Sequence, residues 1–180
     1  MKNAYIIEDE KIIFRRAKYT DNFIEIAELI YKTDPYIYPF WFKNDMEEAI
    51  EILSKKIGEK GFIFYYENIY VAYDKTINKI IGIICALDRT TDLNYDYSYL
   101  ENINRNYNFT INNYIKPIIK ETLENNYLYI SNVCISGDYR GKKVGTHLLG
   151  YFIRQMEKTG FELFALDCLL HNLRAKKFIS

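Results

Sequence analysis

Residues 127 to 170 restrict the fold of this chain more tightly than any other stretch. "YLYISNVCI" (127–135) is an apolar, β-prone run; Val144, Leu148, Leu149, Phe152 and Met156 then keep a helical stripe up to Gly160; "FELFALDCLL" (161–170) is β-prone again. Strand, helix and strand in direct succession read as a β-α-β unit. Such a unit demands two parallel strands in one sheet, joined by a right-handed crossover. The chain is therefore expected to be a mixed α/β protein.

The link from the first strand to the helix is "YRGKKVG" (139–145), with two glycines and three cations in seven residues. It serves either as a turn with a solvated charge cluster or as a cradle for an anion. Its position favours the cradle, because the first amides of a helix have no intrahelical acceptor and the macrodipole attracts negative charge there. Gly141 and Gly145 let the backbone turn tightly and come close to a ligand, and Arg140, Lys142 and Lys143 add formal charge. A phosphate or pyrophosphate is the expected guest. A Walker loop would need Lys followed by Ser or Thr after the last glycine, and a dinucleotide fingerprint three spaced glycines; neither is written here.

The N-terminal half reads less sharply. Residues 11–17 are β-rich, and Thr20 or Asp21 is expected to cap a helix with Phe23, Ile26, Ala27 and Ile30 on one face, stopping before Asp34-Pro35. "DPYIYPFWF" (34–42), with its two prolines, is not expected to be regular helix. Met46, Ala49, Ile50, Leu53 and Ile57 mark a second helix ended by Gly58. Residues 62–74 and 79–88 read as a hairpin around "DKTINK", the second strand buried on both faces. Residues 89–109 show no period and are expected to form a lid, a short helix or an insertion. Pro117 suits the first turn of another short helix, and "NLRAKKFIS" opens the last one.

At 180 residues one domain, 1–180, is expected, large enough to withdraw roughly 70% of its unfolded surface from water. Lys plus Arg equals Asp plus Glu at 24 each, so no global field draws nucleic acid or an anionic membrane, and any anion site must be local. No apolar run reaches the roughly 18 residues of a membrane span, and Glu8 to Lys11 interrupt any signal-peptide core. A cytoplasmic protein without nucleic-acid or membrane partners is expected. Cys85, Cys134 and Cys168, widely spaced in apolar runs, read as reduced core thiols, and no metal site is expected.

"NVCISGDYRGKKVGTHLL" resembles the signature of the GNAT superfamily of N-acetyltransferases, which runs from an apolar strand through Arg or Gln, two residues, Gly, one residue, and Gly or Ala. Arg140 and Gly145 stand at its ends and Lys143 at its middle glycine. "HNLRAKKFIS" is similar to the family's Asn-x-x-Ala-x-x-Phe/Tyr helix start, with Asn172, Ala175 and Phe178 in register. The resemblance, strongest over 127–180, implies the GNAT-like acyl-CoA N-acyltransferase fold, and acetyl-CoA as co-substrate between strands that splay apart at 127–135 and 161–168. It implies that the pantetheine arm pairs with the main chain of Val133, Cys134 and Ile135. The pyrophosphate then lies on the amides of Gly141, Lys142, Lys143, Val144, Gly145 and Thr146, and Asn172 reaches the pantetheine. The backbone N–H of Val133 would polarise the thioester carbonyl. Family members continue past this helix with two more strands, so those strands are expected to be missing from this sequence or supplied in trans by a homodimer partner.

The implied reaction is direct, sequential transfer of acetyl to a primary amine of a small molecule or peptide. A lysine-like amine is neutral in only about one molecule in 2,500 at pH 7, so something must take a proton. Many family members use a Glu on the strand before the cradle, where this chain has Ser131 and Asn132. Glu28 and Asp34 are the next candidates for base, against the alternative that they are solvated helix charges. His171 stands beside Asn172, while His147 is expected to be exposed or partly packed. The family's thiolate-protonating Tyr is Ile179 here; Tyr36 or Tyr38 could line the acceptor pocket, and Tyr139 is expected to pack rather than donate. Cys134 should point away from the Val133 and Ile135 face. These departures leave a second reading open, a non-catalytic CoA-binding module.

Overall fold

The computed structural model describes residues 11–87 and 128–166, with Cys168, Asn172, Leu173, Ala175 and Lys176. The readings made for 89–109, for the helix at Pro117 and for His171, Phe178 and Ile179 lie outside the described residues. Five strands form one mixed sheet in the order β1 (Ile12–Arg16), β2 (Ile69–Asp74), β3 (Lys79–Leu87), β4 (Leu128–Ile135) and β5 (Phe164–Leu166). β1 to β4 pair antiparallel, and β4 and β5 are parallel, as the β-α-β pattern required.

Helices cover both faces of the sheet. Against one face pack α1 (Phe23–Tyr31), the single turn α2 (Ile37–Trp41) and α3 (Met46–Lys56), enclosing a core of Ile26, Ile30, Leu53, Val71, Ile83 and Cys85. Against the other packs α4 (Val144–Glu157), whose Val144, Leu148, Phe152 and Met156 meet Phe14, Tyr70, Ile84 and Ile130. β3 feeds Ile83 and Cys85 to one core and Ile84 and Ala86 to the other, which is why its sequence is apolar without alternation. Gly82 lies opposite Ile135 across β3 and β4, and a Cβ there would meet the Ile135 Cδ1 at 2.5 Å, so a side chain at this position would have to move the tip of Ile135. Among the described residues no helix is long and apolar enough to cross a membrane.

Several local readings are corrected. Asn22, not Thr20 or Asp21, caps α1, its Oδ1 accepting the Ile24 amide at 3.1 Å. The Asp21 carboxylate is held instead by the Arg15 guanidinium at 2.7 and 2.8 Å and by the Lys18 amide, and a bidentate charged pair outbids a lone cap bond. "IYPFW" does form one helical turn, because Pro39 falls in its first turn, where no acceptor awaits an N–H. Asp34 starts that turn by accepting the amides of Tyr36 and Ile37, both at 2.8 Å. Residues 62–68 are not strand: Tyr65 and Asn68 close turns onto Phe62 and Tyr65, Tyr66 bonds back to Ile57, and Phe62 and Phe64 pack edge to face at 5.6 Å. Their β propensity yields to burial of the rings under α1 and α3.

Candidate active site

β4 changes phase halfway along. Cys85 pairs with Asn132 but Ala86 pairs with Ile130, so Ser131 is an extra residue, a β-bulge. Before it Leu128 and Ile130 face α4; after it Val133 and Ile135 do, while Asn132 and Cys134 turn to the α1 side. Cys134 thus points away from the Val133 and Ile135 face, as alternation demanded. Among the described residues β5 follows β4 through Leu128↔Phe164, Tyr129↔Ala165 and Ile130↔Leu166, the last of these pairs falling just before the bulge.

The N-terminus of α4 lies one short loop beyond β4. A 3-10 turn (Gly137–Tyr139) leads into Arg140, and the chain then passes through two left-handed residues, Gly141 (φ 75°) and Lys143 (φ 61°). A Cβ on Gly141 would meet nothing within 4 Å, so its backbone, not its surroundings, calls for glycine. Lys143 is the N-cap and offers no side-chain acceptor. The first intrahelical bond is His147 N–H to Lys143 C=O at 3.0 Å, which leaves the amides of Val144, Gly145 and Thr146 without an acceptor among the described residues. Val144 anchors the turn in the core, while Gly141, Lys142, Lys143 and Thr146 are exposed and Gly145 half-buried. Uncapped amides, left-handed entry and flanking cations fit a diphosphate.

Lys143 occupies the position that the sequence pattern reserves for glycine, and its positive φ gives the reason. A non-glycine residue in the left-handed region costs roughly 1–2 kcal/mol. Lys143→Gly is therefore expected to raise the unfolding free energy by about 1 kcal/mol, after the extra unfolded-state freedom of glycine is subtracted. Chemical denaturation checks this, and a loss of stability would contradict it.

Other readings fare variously. Arg140 folds back, its Nε donating to the Ile135 carbonyl at 3.0 Å, so an added strand at Ile135 must use another group or displace the guanidinium. Glu28 pairs with Lys32 at 3.0 Å on the exposed side of α1, and Tyr36 is 72% exposed. His147 is half-buried, its ring 6.4 Å from that of Phe14. Asn172 heads the last helix, its Oδ1 accepting the Ala175 amide at 3.0 Å, with Ala175 half-buried behind it. Cys85 and Cys134 are buried, and burial pushes both thiols up, against the pull of Arg140 on Cys134. Cys168 is only partly buried, a correction to its reading as a core thiol. Tyr139 packs its ring against the α4 core and donates its hydroxyl to Asp74 at 2.7 Å.

One group of residues was missed from sequence. Asn132 Nδ2 donates to Thr33 Oγ1 at 2.7 Å and to the Tyr38 hydroxyl at 3.0 Å, tying the bulge to α2 and the end of α1. Tyr38 is buried, and desolvation pushes its phenol far up, so it stays neutral. The available signal was "SN" inside an apolar strand, since a buried polar residue needs partners. Asn132→Ala removes the donor to the buried Tyr38 hydroxyl and the half-buried Thr33 hydroxyl, and a loss of about 1–3 kcal/mol in urea unfolding is expected.

A five-stranded mixed sheet covered by helices on both faces, with its one parallel pair joined through α4, defines the class: a mixed α/β fold. The chain belongs to the acetyltransferase (GNAT) family, whose profile matches residues 23–180. Solved structures agree at the level of fold. An N-acetyltransferase from Staphylococcus aureus Mu50 is 19% identical with a TM-score of 0.61, over 92% of this chain and 86% of that one. An agmatine N-acetyltransferase variant is 14% identical with a TM-score of 0.57, over 93% and 80%. Diaminobutyrate acetyltransferase EctA from Paenibacillus lautus, solved with L-2,4-diaminobutyric acid and coenzyme A, is 12% identical with a TM-score of 0.53, over 94% and 72%. No curated protein matches in sequence.

Proposed function

We propose that the protein moves the acetyl group of acetyl-CoA onto a primary amine, of a small molecule or a peptide, by direct transfer. The observation that carries this reading is the entry to α4, where Gly141 and Lys143 are left-handed and the amides of Val144, Gly145 and Thr146 have no acceptor among the described residues. Acetyl-CoA supplies the activated acetyl group. The amides of Val144, Gly145 and Thr146, with Gly141 and the cations Lys142 and Lys143, hold the diphosphate. The main chain from Val133 to Ile135 holds the thiol-bearing arm as a sheet edge holds an added strand. The Val133 N–H is the donor to the thioester oxygen, a contact worth a few kcal/mol when it strengthens in the transition state. Asn172 and Ala175 are assigned to the same cofactor by the family's helix-start pattern.

Two relatives of this fold named for small amines, agmatine and diaminobutyrate, support a primary amine as acceptor. Titration with acetyl-CoA followed by thiol release against an amine panel tests the proposal, with saturable binding and turnover expected. Absence of binding at high micromolar acetyl-CoA overturns it. A second reading, a CoA-binding module without turnover, draws on Asn132, which is occupied by Thr33 and Tyr38 where many relatives carry a carboxylate. Binding without thiol release selects that one.

A further inference from the structure

The loop that enters α4 is tied down at long range. Tyr139, the last residue of the 3-10 turn, donates its hydroxyl to Asp74 Oδ2 at 2.7 Å, 65 residues away in sequence. Asp74 closes β2 and is 5% exposed, and its other oxygen accepts the Thr76 amide at 2.8 Å and the Thr76 hydroxyl at 2.6 Å. Burial pushes this carboxyl up, but the bonds from Thr76, Tyr139 and the Ile77 amide outweigh it and hold it below its usual range. The neighbouring carboxylate pushes the Tyr139 phenol up, so the proton stays on Tyr139 and the bond keeps its direction. The Tyr139 ring in turn underlies the Lys142 ammonium at 5.4 Å.

The bonds within the loop are short-range and precede its left-handed residues: Tyr139 N–H to Ser136 C=O, Arg140 N–H to Gly137 C=O and Arg140 Nε to Ile135 C=O. Gly141 and Lys143 are left-handed and the N-cap contributes no side-chain bond, so the segment from Gly141 to Lys143 is braced chiefly through what holds Tyr139. We propose that Asp74 and Tyr139 are positioning residues for the diphosphate cradle: their bond pins the loop to the β2–β3 turn and fixes where Lys142 and the amides of α4 stand. The role is remote, since neither group need touch the ligand. The inference rests on the acetyl-CoA reading above.

Affinities of the full-length protein for CoA, and for S-acetylpantetheine, which carries the thiol arm without the diphosphate, separate this from a general structural role. Tyr139→Phe removes one hydroxyl from the rim of the core. It is expected to weaken CoA binding about tenfold, the effect of one charge-assisted bond partly transmitted, and to leave S-acetylpantetheine within about twofold. Asp74→Asn, which keeps the side-chain shape, is expected to act in the same direction and serves as the second variant. Unchanged CoA affinity in Tyr139→Phe overturns the inference while leaving the acetyl-CoA reading intact. Equal weakening of both ligands overturns it too, since the damage would then be general. If the unmodified protein fails to bind CoA, both fall together.

Discussion

Replacing Phe152 by Ala is expected to cost about 3–5 kcal/mol, the usual toll of deleting a buried ring. Phe152 is fully buried at the centre of the α4 face, its ring edge-on to Tyr70 of β2 at 5.1 Å and to Phe164 of β5 at 6.2 Å. It is therefore a side chain that ties the helix both to β2 and to β5. Domains of this kind are stable by only about 5–15 kcal/mol, so the variant should melt on the order of 10 °C lower. Phe152→Leu keeps most of the volume and is expected to lose far less. Urea unfolding followed by circular dichroism gives both values. A loss under about 1 kcal/mol for Phe152→Ala would mean that α4 does not pack on the sheet as described.

Thr146→Glu is expected to separate stability from binding. Thr146 is the third residue of α4 and is exposed, so a longer side chain meets no packed neighbour there. Glutamate at this position reaches back to the N-cap amide and places negative charge at the positive end of the dipole. It also replaces a β-branched residue by a better helix former. A gain of roughly 0.5–1 kcal/mol should follow. The same carboxylate occupies amides meant for the diphosphate and repels it, at a cost of a few kcal/mol for charges this close near a surface. Acetyl-CoA affinity should fall at least about 100-fold, and Thr146→Gln, without the charge, should hold it within a few-fold. Thermal melts and calorimetry read the two effects independently. A more stable variant that binds as well as its parent would remove the diphosphate from this helix end.

Much of this site could be read from residues alone because its parts lie close together in the chain. The apolar run at 127–135, the glycines and cations of 139–145 and the stripe from Val144 to Met156 form one continuous stretch, and helical periodicity with turn chemistry interprets such stretches directly. Asn172, Ala175 and Phe178 added a register that a plain turn does not predict. The bulge at Ser131 was harder, although its trace is visible: Leu128 and Ile130 hold even positions of the apolar face, Val133 and Ile135 odd ones. Alternation over a short strand does not by itself say whether such a break is a bulge or a strand buried on both sides.

The misreadings share a cause. "FIFYYEN" has strand composition, yet its backbone turns so that Phe62 and Phe64 bury among α1 and α3. Asp21 looked like a cap until Arg15, on the neighbouring strand, claimed it. Each outcome depends on a group that no local window contains.

The order of elements, the parallel pair and the anion-seeking helix end were all determined by sequence, because hydrophobic period, glycine placement and charge act over a few residues. Which carboxylate braces the loop and which amide fills the turn of the strand were decided only in three dimensions. Those features come from contacts between segments tens of residues apart, and their geometry exists only once the sheet has closed.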